Sequence, residues 1–228
     1  MTISVTAVVP VYNEENFLEQ SIGRLLEIKD INEYFLVDDC STDNSFQLLN
    51  NIKKGNEKIK VFQTEKNGGK GAAITSIKEM INTDYVVIHD ADLEYDPQDI
   101  KTMLECINNE KLNLVLGSRF KKDGKKQIYL RTFLANKFLS FLFSLIYFSK
   151  VTDIATCYKL MPTSFFKETF FKETGFAIEV ELIAKFLKKN KNLVEVPISY
   201  KARSYEEGKK IKLSDGFKYL FAMLRYRF

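Results

Sequence analysis

Three observations predict an α/β chain built on a mostly parallel, doubly wound sheet flanked by helices. Short β-branched runs alternate with stretches whose apolar residues recur at helical spacing. The runs are apolar nearly throughout, as interior parallel strands are. Each is followed by a polar or glycine-rich cluster, and in an open α/β sheet such clusters collect along the C-terminal strand edge, where ligands bind.

The elements follow in order. Ile3 to Pro10 reads as the first strand, and Asn13 as the N-cap of a helix carrying Phe17, Leu18, Ile22, Leu25 and Leu26. Tyr34 to Val37 is a second strand. Its acidic turn, Asp38-Asp39-Cys40-Ser41-Thr42-Asp43, caps a helix with Phe46, Leu48, Leu49 and Ile52 as apolar positions. Ile59 to Phe62 is a third strand, leading through Asn67-Gly68-Gly69-Lys70-Gly71 to a helix over about 72–81. Tyr85 to Ile88 is a fourth strand and ends at Asp90-Ala91-Asp92. Asp96 caps the next helix, with Pro97 in its first turn. Leu112 to Leu116 is a fifth strand, closed by Gly117-Ser118-Arg119. Leu130 to Phe148 is helical and rich in Phe and Leu, with Thr132, Asn136, Ser140 and Ser144 spaced by four and Lys137 beside them. A helix apolar nearly all round is either buried or laid against lipid. Leu193 to Ile198 reads as an edge strand because of Pro197, and Asp215 to Tyr226 as a closing helix.

At 228 residues, 45% of them hydrophobic, residues 1–228 form one domain with a sizeable core. A net charge of +4 is too mild to imply a nucleic-acid partner. Basic residues crowd 119–126 and the C-terminus, which suits phosphates or an anionic membrane surface. Three widely spaced cysteines give no metal-ligand pattern and fit a reducing cytoplasm. Residues 2–10 are too short and lack the basic leader of a signal peptide. No run of 18 apolar residues supports a membrane span.

Asp90 and Asp92 stand where a strand gives way to a turn, so both can reach one hard cation. Mg²⁺ or Mn²⁺ takes one or two carboxylates and completes its shell with water and phosphate oxygens. A solvated Asp-rich turn is the competing reading. His89, the sole histidine, reads as a structural residue. The Gly68 to Gly71 turn lacks Walker spacing, no dinucleotide fingerprint follows the first strand, and no Ser/His/Asp set is present.

Pro10-Val11-Tyr12-Asn13-Glu14, Asp38 to Asp43, Asn67 to Gly71, Asp90-Ala91-Asp92 and Gly117-Ser118-Arg119 occur in the order found in glycosyltransferase family 2. The resemblance covers roughly residues 3–215. It implies a GT-A fold, a nucleotide-sugar donor, a divalent metal and inversion at the anomeric carbon. Within the family the chain looks most like the polyprenyl-phosphate (dolichyl-phosphate) sugar transferases. They share Asp-Ala-Asp, the Arg after Gly-Ser, Thr152 to Leu160, Glu195 to Tyr200 and the Arg203 to Ile211 loop. His89 is a departure, as is the lack of the C-terminal transmembrane helices of many bacterial members.

The resemblance implies a nucleotide-sugar-binding half over about 1–118 and an acceptor-binding half over about 119–228. Pro10, Tyr12, Glu14, Asp39 and Lys70 would meet the nucleotide, with Asp90, Ala91 and Asp92 at the metal and diphosphate. Lys209 and Lys210 would close over the diphosphate from a loop. Arg119 and Arg131 would bind an acceptor phosphate, as planar guanidinium groups do. Such an acceptor is already ionised and needs no base, whereas a sugar hydroxyl does; Glu179 and Glu181 are the candidates, with Glu179 on the acceptor side. They would share a face on a strand but not on a helix.

The leading expectation is therefore a hexosyltransferase acting from GDP- or UDP-sugar to polyprenyl phosphate or another lipid-linked acceptor, peripherally bound at the inner membrane face. Transfer to a glycan or glycolipid hydroxyl is the runner-up. A nucleotidyltransferase should show a Gly-rich loop after the first strand, and an inactive nucleotide-sugar-binding module should lack some of these polar positions. A homo-oligomer or membrane partner protein is left open.

Overall fold

The computed structural model describes residues 3–107, 113–121, 129–189, 192–203 and 213–228, and the side chains of all of these but 213 and 214. A seven-stranded sheet has the order β3-β2-β1-β4-β6-β5-β7. Its strands are β1 (Val5–Val11), β2 (Glu33–Asp38), β3 (Ile59–Gln63), β4 (Tyr85–Ile88), β5 (Leu114–Ser118), β6 (Lys159–Pro162) and β7 (Leu193–Pro197). The first four pair in parallel, with Val8 opposite both Phe35 and Ile88. β1, β2 and β4 are buried on both faces and form the centre of the core between the helical layers, whereas β3, at the sheet edge, is only partly buried.

β6 was not foreseen. It runs antiparallel between β4 and β5, with Val87 opposite Leu160 and Val115 also opposite Leu160. Four residues ending in proline carry too little periodicity to announce a strand. β7 pairs in parallel with β5 at the sheet edge, where Pro197 is tolerated.

The helices are α1 (Leu18–Leu26), α2 (Ser45–Lys53), α3 (Lys70–Ser76), α4 (Asp99–Glu105), α5 (Leu130–Tyr147), α6 (Thr163–Glu168), α7 (Ile178–Lys189) and α8 (Leu213–Arg227). Two helix starts and one helix end differ from expectation. α4 begins at Asp99 after the N-cap Gln98, so Asp96, which accepts the Gln98 N–H, precedes the cap. Asn13 does not cap α1: it has φ 49°, and its side chain bonds Thr42 in the next turn. The helix over 72–81 breaks after Ser76 and resumes as a 3₁₀ turn, Lys78–Met80. Thr75 and Ser76 hydroxyls bond carbonyls three or four residues back, a local competition that ends helices.

α5 is amphipathic with its polar stripe turned inward. The Ser140 hydroxyl accepts the Ile154 N–H, and the Ser144 hydroxyl bonds Val151 through both N–H and C=O. Its outer face carries Leu130, Leu134, Phe138, Phe141 and Leu145, and Phe148 follows at 86% exposure. The buried-core reading therefore fails for this stripe. α8 packs against α5 and turns Phe217, Phe221, Leu224 and Phe228 outward beside it. Among the described residues, no helix is long and apolar enough to cross a membrane.

Candidate active site

A cavity of about 310 Å³ opens at the C-terminal edge of β1, β2 and β4. It collects what the strand ends deliver together: Pro10 and Val11 at the end of β1 with Tyr12 and Glu14 beyond it, Asp39 after β2, Asn67, Gly69 and Lys70 after β3, and Asp90 to Asp92 after β4. Phe176 and Arg203 close it from the second half.

Asp39 anchors the glycine turn. Its carboxylate accepts the N–H groups of Gly68 (3.0 Å) and Gly69 (2.6 Å) and the Thr64 hydroxyl (3.0 Å). Gly69 has φ 88°, open to glycine at little cost. A Cβ on Gly71 would collide with the Glu173 carbonyl, so the segment before α7 can lie directly on this turn.

The aspartate pair is held by cations. Lys70 Nζ donates to Asp90 Oδ1 at 2.6 Å and lies 2.7 Å from Glu179 Oε1. Arg203 Nη2 donates to Asp92 Oδ2 at 3.1 Å, and the same guanidinium makes a two-point contact with Glu14 at 2.9 and 3.2 Å. Burial opposes the charge on Asp90, but the Lys70 ammonium overrides it and lowers its pKa. Burial, then the like charges of Asp90 and Glu94, push Asp92 up to about 8 against the pull of Arg203. His89 is buried beside them, bonded through Nδ1 to the Tyr158 hydroxyl, and burial lowers its pKa to about 4. It is a neutral structural group at neutral pH.

The donor set fits a divalent ion. Two carboxylates offer hard oxygens at a cavity wall, and the two cations beside them together carry the charge of one Mg²⁺ or Mn²⁺. Among the described residues, no group of three or more His, Cys, Asp or Glu side chains converges as a closed metal cage. An open site finished by water and diphosphate oxygens is the form that suits these metals.

The expected acceptor residues are not gathered in this cavity. Arg119 is buried in a bidentate pair with Asp153 (2.8 Å for both bonds) and stacks over Tyr200 at 4.9 Å. Arg131 is exposed on α5. Glu179 and Glu181 lie one residue apart on α7 and diverge, as a helix requires. Glu179 bridges Lys70 and the fully buried Lys159, which also donates to the Thr156 carbonyl. Glu181 accepts the N–H groups of Lys172 and Glu173. Lys209 and Lys210 lie outside the described residues.

Sequence reasoning missed the roles of Arg203, Lys159 and Glu94. Arg203 sits at the start of a loop already singled out, so its place was findable. Lys159 lies in the Thr152 to Leu160 segment already singled out, but nothing in its pattern showed that the side chain is buried. Glu94 accepts the Tyr200 hydroxyl and the Arg203 N–H, and so fixes where that loop leaves the sheet.

The family model for glycosyl transferase family 2 matches residues 6–170. The UDP-N-acetylglucosamine–dolichyl-phosphate N-acetylglucosaminyltransferase of Methanococcus voltae is 29% identical, over 95% of this chain and 93% of its own. The dolichol-phosphate mannosyltransferase of Pyrococcus furiosus is 26% identical, over 96% of this chain and 62% of the relative. The undecaprenyl-phosphate mannosyltransferase of Micrococcus luteus is also 26% identical, over 90% and 86%. Glucosyl-3-phosphoglycerate synthase from Mycobacterium tuberculosis, solved with Mn²⁺, uridine diphosphate and phosphoglyceric acid, superposes with a TM-score of 0.75 at 16% identity, covering 99% of this chain and 78% of that one. The sheet order, the strand-edge cavity and the matched motifs lead to one conclusion: this chain has the GT-A fold and belongs to glycosyl transferase family 2.

Proposed function

We propose that the chain moves a hexose from a GDP- or UDP-linked sugar to a polyprenyl phosphate, with inversion, at the cytoplasmic face of a membrane. The observation that carries this reading is that, among the described residues, every carboxylate lining the cavity is engaged. Glu14 and Asp92 are held by Arg203, Asp90 by Lys70, Asp39 by N–H groups, and Glu94 by Tyr200. Behind them, Glu179 is tied to two lysines. A hydroxyl acceptor would need a free base. A phosphate oxygen is already a nucleophile, and the site then works by positioning and charge.

Tyr12 and Asp39 line the nucleoside end of the cavity and Lys70 the diphosphate end. Asp90 and Asp92 would hold Mg²⁺ or Mn²⁺, which would offset charge on the leaving diphosphate. Arg131 and Arg119 draw the acceptor phosphate. The relatives named for dolichyl- and undecaprenyl-phosphate transfer support this acceptor class. The exposed Phe and Leu side chains of α5 and α8, with Arg131, Lys137 and Arg227 among them, support docking on an anionic bilayer.

Incubation with labelled nucleotide sugars and polyprenyl phosphate in vesicles tests the proposal. An organic-extractable product that releases sugar in mild acid is expected. Label appearing only in acid-stable glycan or glycolipid would select the hydroxyl acceptor instead.

A further inference from the structure

Asp90 and Asp92 are restrained by one repeated device. Each is bonded by a cation, and each cation has a second carboxylate partner outside the pair: Glu179 for Lys70 and Glu14 for Arg203. The four partner side chains are nearly closed to solvent, none more than 10% exposed. Lys159 closes the far side of Glu179.

A divalent ion that takes Asp90 Oδ1 and Asp92 Oδ2 displaces the ammonium and the guanidinium bonded to those oxygens. A buried cation stripped of its partner is strongly unfavourable. Here neither is stripped, because Lys70 keeps Glu179 and Arg203 keeps both bonds to Glu14. Resting on the reading of Asp90 and Asp92 as a divalent-cation site, we infer that Glu14 and Glu179 are positioning residues. They receive Arg203 and Lys70 when a divalent cation takes Asp92 and Asp90. Both cations line the cavity, so after the exchange they face the space a nucleoside diphosphate would fill. Glu179 then serves the donor side, not the acceptor, and Glu14 acts through Arg203.

The test is Mn²⁺ titration of the intact protein without nucleotide sugar, read by the electron paramagnetic resonance signal of free Mn²⁺. Glu14→Gln and Glu179→Gln should each weaken binding about tenfold or more, equivalent to about 1.4 kcal/mol. Arg203→Met and Lys70→Met remove the competing cations and should tighten it. The double variants Glu14→Gln/Arg203→Met and Glu179→Gln/Lys70→Met should bind like the corresponding cation variant, because each glutamate acts only through its cation. Should a single variant fail to fold, the doubles still decide, since each removes a buried charge together with its partner. Doubles that bind Mn²⁺ more weakly than the wild type, which binds it, overturn the inference alone and make the glutamates direct ligands. A wild type that binds no Mn²⁺ removes the cation site, and the inference with it.

Discussion

The cavity at the β1–β4 edge and the face of α5 and α8 are opposites. In the cavity, charged side chains are buried, and each is held by a partner within the chain. On the helical face, large apolar side chains stand in solvent, with Phe217 and Phe221 each 70% exposed. Soluble proteins seldom leave large contiguous apolar surfaces uncovered without a use for them. The difference teaches where each region is completed. The cavity's charged groups are paired within the chain, and a ligand must compete with those bonds. On the helical face, the outward Phe and Leu side chains stay exposed among the described residues.

The largest effect that could break this comparison is at the aspartate pair. Asp92→Asn should lower turnover at least about a hundredfold, while circular dichroism shows an intact fold. Wild-type rates with Mg²⁺ or Mn²⁺ present would remove Asp92 from the chemistry. Next comes Arg119→Ala, which leaves Asp153 buried and unpaired and should cost about 3–5 kcal/mol of stability. Chemical denaturation measures it, and a loss under about 1 kcal/mol would show that the pair is hydrated.

His89 gives a pH dependence. Its folded pKa of about 4 lies below the ordinary 6.5, so the unfolded chain binds the extra proton between those values. Stability is therefore complete above pH 6.5 and falls as pH drops toward 4, by about 3 kcal/mol from this group. In His89→Asn, the fall across that window should shrink by this amount; an unchanged pH profile would mean that His89 is not buried neutral.

Arg131→Ala sharpens the contrast, because the residue is exposed and its loss should leave stability alone. Transfer to lipid phosphate should fall about ten- to a hundredfold, from a charge-assisted bond of about 1.5–3 kcal/mol, with donor affinity unchanged. Full transfer would take Arg131 out of the acceptor site. The smallest effect on function belongs to the helical face. Phe138→Ser with Phe221→Ser should change unfolding free energy by only about 0.5 kcal/mol per site, yet reduce sedimentation with anionic vesicles several-fold. Undiminished vesicle binding would mean that this face is not the docking surface.

Much was legible in the sequence because it depends on local pattern. Continuous apolar runs fixed β1 to β5, and the rule that loops gather at the strand edge brought Tyr12, Asp39, Lys70, Asp90 and Asp92 to one cavity. The parallel order of the first four strands follows from the same alternation.

Tertiary structure alone decided which charges pair and which way a mixed helix turns. Lys70 meets Glu179 across 109 positions of chain, and Arg203 meets Glu14 across 189. Spacing cannot report such pairs, because they arise where separate elements converge. α5 could have buried either stripe. The backbone groups of Val151 and Ile154, bonded to Ser144 and Ser140, together with the buried Phe143 and Tyr147, turned this face inward and left Leu130, Leu134, Phe138, Phe141 and Leu145 outside.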